Sequence, residues 1–250
     1  ARPLRIAVLV KQIPAFEAME LGSDGRLVRE GLPLEMSAYC RRAVAEAVQL
    51  VGRYGGSITV LTMGPPSAED VLREAIAFGK GLTDEVPRDL DIRGVHLCDP
   101  AFAGSDTLAT ARTVVAAVRR IEGPPFDLLL AGRSSVDADT GQVPPQVAEL
   151  LDLPFVTGVK TLALDLGGGA VHVGCELDDV WEDATVQLPA LLSAAERLID
   201  PCKIKDPTVW ASVDARLIER VTAAMLGPGP WGADGSATTV GEIRTEHITR

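Results

Sequence analysis

Residues 126–145 read FDLLLAGRSSVDADTGQVPP. Two chemistries meet in this stretch. Phe126–Ala131 is a short, almost wholly apolar run, the pattern of a strand covered on both faces. From Gly132 onward the residues turn small and polar. Pro144 and Pro145 then open a helix that runs to Leu151, because proline fits a helix only in its first turn. A buried strand, a polar loop and a helix start make the repeating unit of a parallel sheet.

The same unit recurs upstream. Leu4–Val10 is an apolar strand, and Ala15–Met36 after it reads as a small surface hairpin. A helix over 38–51 places Cys40, Ala43, Ala47, Val48 and Val51 on one face, and Gly55 and Gly56 stop it. Ser57–Met63 is the second strand. Gly64, Pro65 and Pro66 break it, and Ser67 with Asp70 has the form of a helix cap, for a helix to about Phe78. A charged loop over 79–93 leads to the third strand, Gly94–Leu97. Ser105 begins a helix with Leu108, Ala111, Val115 and Val118 on one face. Strand and helix alternating four times predict an α/β fold, an open, mostly parallel sheet flanked by helices with right-handed crossovers.

Downstream the pattern changes. Phe155–Leu164, Ala170–Glu176 and Thr185–Leu188 read as antiparallel edge strands, with Gly167 to Gly169 as a turn. After Ser193, prolines at 201, 207, 228 and 230 punctuate the chain, with one helix expected over Val213–Met225. The expected division is an α/β domain over 1–199 and an extended arm over 200–250. The arm's Trp210, Leu217, Met225 and Trp231 suit a partner surface.

The 250 residues are 46% apolar and 24% charged, which fits a globular chain with a sizeable core and excludes disordered, collagen-like and disulfide-scaffold classes. Asp and Glu exceed Lys and Arg by 35 to 24, a net charge of −11. Such a chain has no general attraction to nucleic acid or anionic lipid. No apolar run is long enough to span a bilayer, and the first residues read as a strand, not a leader. Cys40, Cys98, Cys175 and Cys202 form no paired spacing with one another or with His96, His172 and His247, so they read as free thiols in a reducing cytoplasm and not as metal ligands.

Ligands of open parallel sheets sit outside the carboxyl ends of the strands, where strand order reverses. Four strand ends therefore matter: 9–11, 63–65, 99–107 and 131–143. In the last, the amides around Asp139 to Val143, with Ser134, Arg133, Thr140 and Gln142, suit a phosphate, and Ala138 and Gly141 allow close approach. Asp137 and Asp139 suit ribose hydroxyls, or serve as caps and turn formers. The same residues also make an inert strand-to-helix loop. The P-loop and G-x-G-x-x-G patterns are absent. Cys40 at a helix start is a candidate thiolate or, with no histidine paired to it, a packing residue. The acids from Glu176 to Asp183 form either an acid–base pair or a solvated docking face.

Several motifs in order resemble the beta subunit of electron transfer flavoproteins, from about Arg5 to Ala211. They are Val10-Lys11, residues 42–47, Thr62 to Pro66, Phe102 to Thr110, Ala131-Gly132, Val136 to Val143, and Leu188 to Ala190 with Arg197, Leu198 and Pro201. The resemblance implies a Rossmann-like, adenine nucleotide hydrolase-like fold. It also implies a heterodimer with an alpha subunit, passing electrons from a dehydrogenase through FAD toward a quinone oxidoreductase. The main FAD would sit on the alpha subunit, with a second nucleotide, AMP or FAD, on this chain. By position, the implied contacts are Leu9, Ser37, Ala38, Tyr39, Cys40, Met63, Asp106 and Thr107, and the loop Gly132, Arg133, Ser134, Ser135, Val136, Asp137, Ala138, Asp139, Thr140, Gly141, Gln142 and Val143. Residues 102–107 and 137–143 resemble the FAD-holding, bifurcating branch more than the AMP-holding carriers. Asp206 stands where simple carriers present a leucine to acyl-CoA dehydrogenases, which implies a different donor. Two other readings are an NADH-dependent bifurcating subunit and a stand-alone adenine-nucleotide-binding protein. The electron-carrier reading requires no catalytic side chain on this chain.

Overall fold

The apolar runs become strands because each finds cover on both faces. The computed structural model describes residues 3–23, 25–28, 31–84, 88–177, 179–204 and 206–241. The chain begins with β1 (Leu4–Leu9), then β2 (Gln12–Pro14) and β3 (Leu34–Met36), which pair antiparallel as a small separate sheet. An isolated bridge between Leu21 and Leu27 lies in the hairpin region expected there; residues 24, 29 and 30 fall outside the described set. Next come α1 (Ala38–Tyr54), β4 (Gly56–Met63), α2 (Glu69–Gly79), β5 (Asp91–Leu97), α3 (Thr107–Arg120), β6 (Leu128–Gly132) and α4 (Val143–Leu151). The second half holds β7 (Phe155–Asp165), β8 (Ala170–Leu177), β9 (Val180–Gln187), β10 (Ala190–Ala194), α5 (Pro207–Ala211), β11 (Ile218–Val221) and α6 (Ala223–Leu226).

Among the described residues the main sheet has nine strands, in the order β11-β5-β4-β1-β6-β10-β7-β8-β9. Every pair from β11 to β7 is parallel, while β7-β8 and β8-β9 are antiparallel, as the edge-strand reading expects. β1 is the pivot: Ala7 faces Thr59 of β4 on one side and Leu129 of β6 on the other. Its side chains alternate between two cores, as strand geometry requires. Leu4, Ile6 and Val8 join a core with α1 and α2 residues such as Val44, Val48, Leu72 and Ile76. Ala7 and Leu9 join a second core with Ala111, Val115, Val147 and Ala148 of α3 and α4.

Three local expectations are corrected. Ser67 does not cap α2; a 3-10 turn over Pro66–Ala68 precedes the helix, and the Ser67 hydroxyl lies 3.2 Å from Gln12 Oε1 instead. Residues 190–194 lie outside the strands the sequence predicts, yet β10 is fully buried between β6 and β7. Five residues are too few to show a periodicity of their own. Finally, no helix spans 213–225. Asp214 accepts a hydrogen bond from the Arg216 amide in a short 3-10 turn, and residues 218–221 pair in parallel with β5. The open edge of β5 offers a row of unsatisfied backbone groups, and pairing with it outweighs a weak helical pattern. Gly94 of β5 leaves the room, since a Cβ there would lie 3.2 Å from Ile218 Cγ1.

The segment after 199 therefore packs on the chain itself. Cys202, Ile204 and Val213 belong to the first core and Val221 to the second. A buried polar staple fixes its start. Arg41 and Glu74, 6% and 2% exposed, form a close ion pair. Arg41 Nη1 also donates to Cys202 O at 3.2 Å, and the Ile204 amide donates to Glu74 Oε1 at 3.2 Å. Burial pushes the Glu74 carboxyl up, opposed by the Arg41 charge.

Arg41→Met leaves the Glu74 carboxylate buried without its ion-pair partner. The expected loss in urea unfolding is about 3–5 kcal/mol, with most of it recovered in Arg41→Met/Glu74→Met. Glu46 of α1 is 4% exposed, and burial raises its carboxyl from 4.5 to about 7. The folded chain therefore holds a proton that the unfolded chain has lost. The resulting stabilisation is complete below pH 4.5 and vanishes as pH rises through about 7. Urea midpoints should fall across that window, and Glu46→Gln should flatten the fall.

Candidate functional site

After β1 the chain leaves for α1 on one face of the sheet; after β6 it leaves for α4 on the other. The two departures open a crevice at the carboxyl ends of β1, β4 and β6, a cleft of about 570 Å³. Leu9, Val10 and Lys11 line it from β1, and Leu61, Thr62 and Met63 from β4. Ala131 to Ser135, Ala138 and Thr140 to Pro144 form the loop side. Cys40, the start of α3 and Thr238 complete the wall.

The loop takes its shape from its own sequence. The amides of Ala138 and Asp139 both donate to Ser135 O, at 3.2 and 2.6 Å. Asp139 and Gly141 have φ of +48° and +61°, the left-handed region that aspartate tolerates and glycine favours. Pro144 and Pro145 carry no N–H. Among the described residues, the amides of Thr140, Gly141 and Val143 are left without a protein acceptor. At the other end of the loop, Gly132 allows β6 to abut the start of α1. A Cβ at Gly132 would lie 2.9 Å from the Cys40 amide nitrogen and 2.9 Å from Tyr39 Cβ.

Lys11 braces this loop. Its Nζ donates to Ser135 Oγ at 3.0 Å and to Asp137 Oδ1 at 2.8 Å, and the Asp137 side chain is wholly buried. The buried Asp137 carboxylate thus faces a lysine of its own chain. The Arg133 guanidinium lies 5.4 Å over the Tyr39 ring and 3.9 Å from Glu196. Thr107 Oγ1 donates to Gln142 Oε1 at 2.9 Å, and Gln146 Nε2 donates to Thr107 Oγ1 at 3.3 Å, which ties α3 to α4. Asp106 caps α3 by accepting from the Ala109 amide at 2.8 Å. That bond and those from Ala237 and Thr238 hold its carboxyl below the ordinary range.

Of the residues singled out from sequence, Leu9, Cys40, Met63, Asp106, Thr107, Gly132, Arg133, Ser134, Ser135, Ala138, Thr140, Gly141, Gln142 and Val143 line the cleft. Six do not. Ser37 is buried at the start of α1, Tyr39 stacks on Arg133, and Asp137 pairs with Lys11. Ala38, Val136 and Asp139 are exposed. Lys11 is absent from the residues expected at the site, although as a charge just after the first buried strand at the switch point it is legible in the sequence. Thr62, Ser105, Thr110 and Thr238 carried no local sign.

The chemistry on offer is binding. The Cys40 thiol is buried, and burial pushes it up, so it stays protonated and packs. His96 points to the carbonyls of Gly64 and Pro65, and burial lowers it. The acids of β8 and β9 stand at the far edge of the sheet, where Glu176 pairs with Lys160; Asp178 falls outside the described residues. Among the described residues no group of acids, histidines and cysteines forms a metal site, and no helix is long and apolar enough to cross a membrane. Free amides with Lys11 and Arg133 suit an anion, while Leu9, Leu61, Met63 and Val114 suit a flat apolar group.

Residues 24–226 match the electron transfer flavoprotein domain. The chain is 35% identical over 248 residues to electron transfer flavoprotein subunit beta of Clostridium acetobutylicum, covering 98% of this chain and 89% of that one. It is 35% identical over 200 residues to subunit CarD of the caffeyl-CoA reductase-Etf complex of Acetobacterium woodii, covering 79% and 71%. It is also similar to protein FixA of Azorhizobium caulinodans, 36% identical over 198 residues, covering 77% and 66%.

Gly132→Ala must push the α1 start away from β6. The expected cost in urea unfolding is about 1–3 kcal/mol, the range for overpacking. Gly52→Ala in α1 is the control: its Cβ meets nothing within 4 Å, so it should gain stability.

Proposed function

Because the chain belongs to the electron transfer flavoprotein family, we propose that it is the beta subunit of an electron-carrying heterodimer and buries an adenine nucleotide in the switch-point cleft. The observation that carries this reading is the Lys11-braced loop, which leaves the amides of Thr140, Gly141 and Val143 turned out without acceptors. A phosphate supplies the acceptors they lack, at a helix start whose dipole favours an anion. Lys11 and Arg133 line the cleft, Lys11 paired with the Asp137 carboxylate, in a chain whose net charge is −11. Leu9 and Met63 stand where they would flank a base.

The chain's own residues bind, orient and exclude water; none acts as acid, base or nucleophile. The flavin, FAD held mainly on the alpha subunit, supplies the one- and two-electron chemistry. In this reading electrons pass from a dehydrogenase through FAD toward a quinone oxidoreductase, in the cytoplasm. The alpha subunit finds apolar surface on the edge strand β9, where Val180 and Trp181 are 57% and 50% exposed. On the arm, Met225 and Val240 are exposed as well.

The nucleotide on this chain is AMP in a simple carrier. A second reading places FAD here, in an NADH-dependent bifurcating complex. The likeness to CarD, a subunit of a reductase complex, favours it.

The test is to co-purify the chain with its alpha subunit, denature the complex and identify the released nucleotides by mass spectrometry. One FAD and one AMP per heterodimer is the expected result for a carrier, and two FAD supports the second reading. A colourless, nucleotide-free complex, or a stable homo-oligomer that takes no alpha subunit, would falsify the proposal.

A further inference from the structure

Asp106 stands at the mouth of the cleft, yet its oxygens are already occupied. An ionised carboxylate offers about four acceptor positions. Oδ1 accepts from the Ala109 amide at 2.8 Å. Oδ2 accepts from the Ala237 amide at 2.8 Å, the Thr238 amide at 2.9 Å and Thr238 Oγ1 at 3.0 Å. Four donors of the chain itself thus engage the carboxylate, three of them on Oδ2.

Three of these donors, on Ala237 and Thr238, come from 131 and 132 residues further along the chain. The segment that brings them is seated by a series of independent contacts. Trp231 packs edge-on against Phe102, with centroids 6.3 Å apart and planes at 89°. The Ala233 amide donates to Ala103 O at 3.0 Å, and Arg112 Nη1 donates to Gly235 O at 3.0 Å. The Asp106 amide donates to Ser236 Oγ at 2.8 Å. Gly104 makes the approach possible, since a Cβ there would lie 3.0 Å from Ala233 Cβ. At the end of this run, Thr238 becomes part of the cleft wall beside Thr107 and Gln142.

We propose that Asp106 is a positioning residue that clasps Ala237 and Thr238, so that the C-terminal segment supplies one wall of the nucleotide cleft and slows release of the nucleotide. This rests on the nucleotide-binding reading above. It assigns Asp106 no contact with the ligand. The carboxylate acts on the ligand only through Thr238, and through the start of α3 that it caps. A wall added after the rest of the cleft is formed acts on escape more than on encounter, so the effect belongs in the dissociation rate.

Asp106→Asn separates the two duties. Asparagine caps helices about as well as aspartate, so α3 keeps its start, but an amide NH2 now confronts the Ala237 and Thr238 donors. The variant is prepared in complex with the alpha subunit, and loss of the bound nucleotide is followed during a chase with excess AMP or FAD, whichever the wild type holds. Release is expected to quicken roughly tenfold or more, with faster hydrogen exchange at the 237 and 238 amides and an unfolding midpoint close to wild type. Ala237→Pro/Thr238→Ala, which removes two donors and leaves Asp106 in place, is expected to act in the same direction and serves if Asp106→Asn does not fold. Wild-type release rates in variants whose 238 amide exchanges faster would overturn the clasp alone. A wild-type complex that holds no nucleotide would overturn the functional reading and the clasp with it.

Discussion

A parallel sheet covered on both faces must send its connecting helices to both faces, and where neighbouring strands send them to opposite faces a gap remains. In this chain the gap lies between β1 and β6. The alternation of β1 side chains between two cores fixes it: Ile6 and Val8 pack toward α1 and α2, Ala7 and Leu9 toward α3 and α4. A slip of one residue would exchange the faces and remove the pivot. The cleft, the loop that edges it and the segment that closes it all follow from that arrangement.

The polar groups around the gap are managed locally. The Asp137 carboxylate is withdrawn from the cleft by Lys11, and the Asp106 carboxylate by the amides of Ala237 and Thr238. Facing the gap are the amides of Thr140, Gly141 and Val143, together with Arg133, the paired Lys11 and several hydroxyl and amide side chains. The net acidity of the chain does not oppose the proposed nucleotide site, because the local field at a desolvated site is set by nearby groups and distant surface charge is screened. Burial pushes the Cys40 thiol up, and His96 faces the carbonyls of Gly64 and Pro65.

The C-terminal segment links these features. It enters the first core beside Arg41 and Glu74, continues as β11 to cover the open edge of β5, and ends against Asp106 at the cleft. Each contact satisfies backbone groups that the rest of the fold leaves open. The sheet edge and the cleft wall are finished by the same stretch of chain, which couples the integrity of the one to the other.

Periodicity and composition alone determined the four strand–helix units, the antiparallel hairpins, the free thiols and the polar loop from Gly132 to Val143 between a buried strand and a helix start. These are local properties: two-sided burial writes a continuous apolar run, and a helix start after a strand writes small residues and prolines. Most of the cleft was legible in the same way, because strand ends at a reversal point are visible once the strands are placed. Only the tertiary structure decided the rest. It converted the helical pattern over 213–225 into β11, inserted β10 between β6 and β7, turned Asp137 toward Lys11, and brought Thr238 to Asp106. Those outcomes depend on donors and acceptors that meet across more than a hundred residues, and no local pattern records which distant group will be in reach.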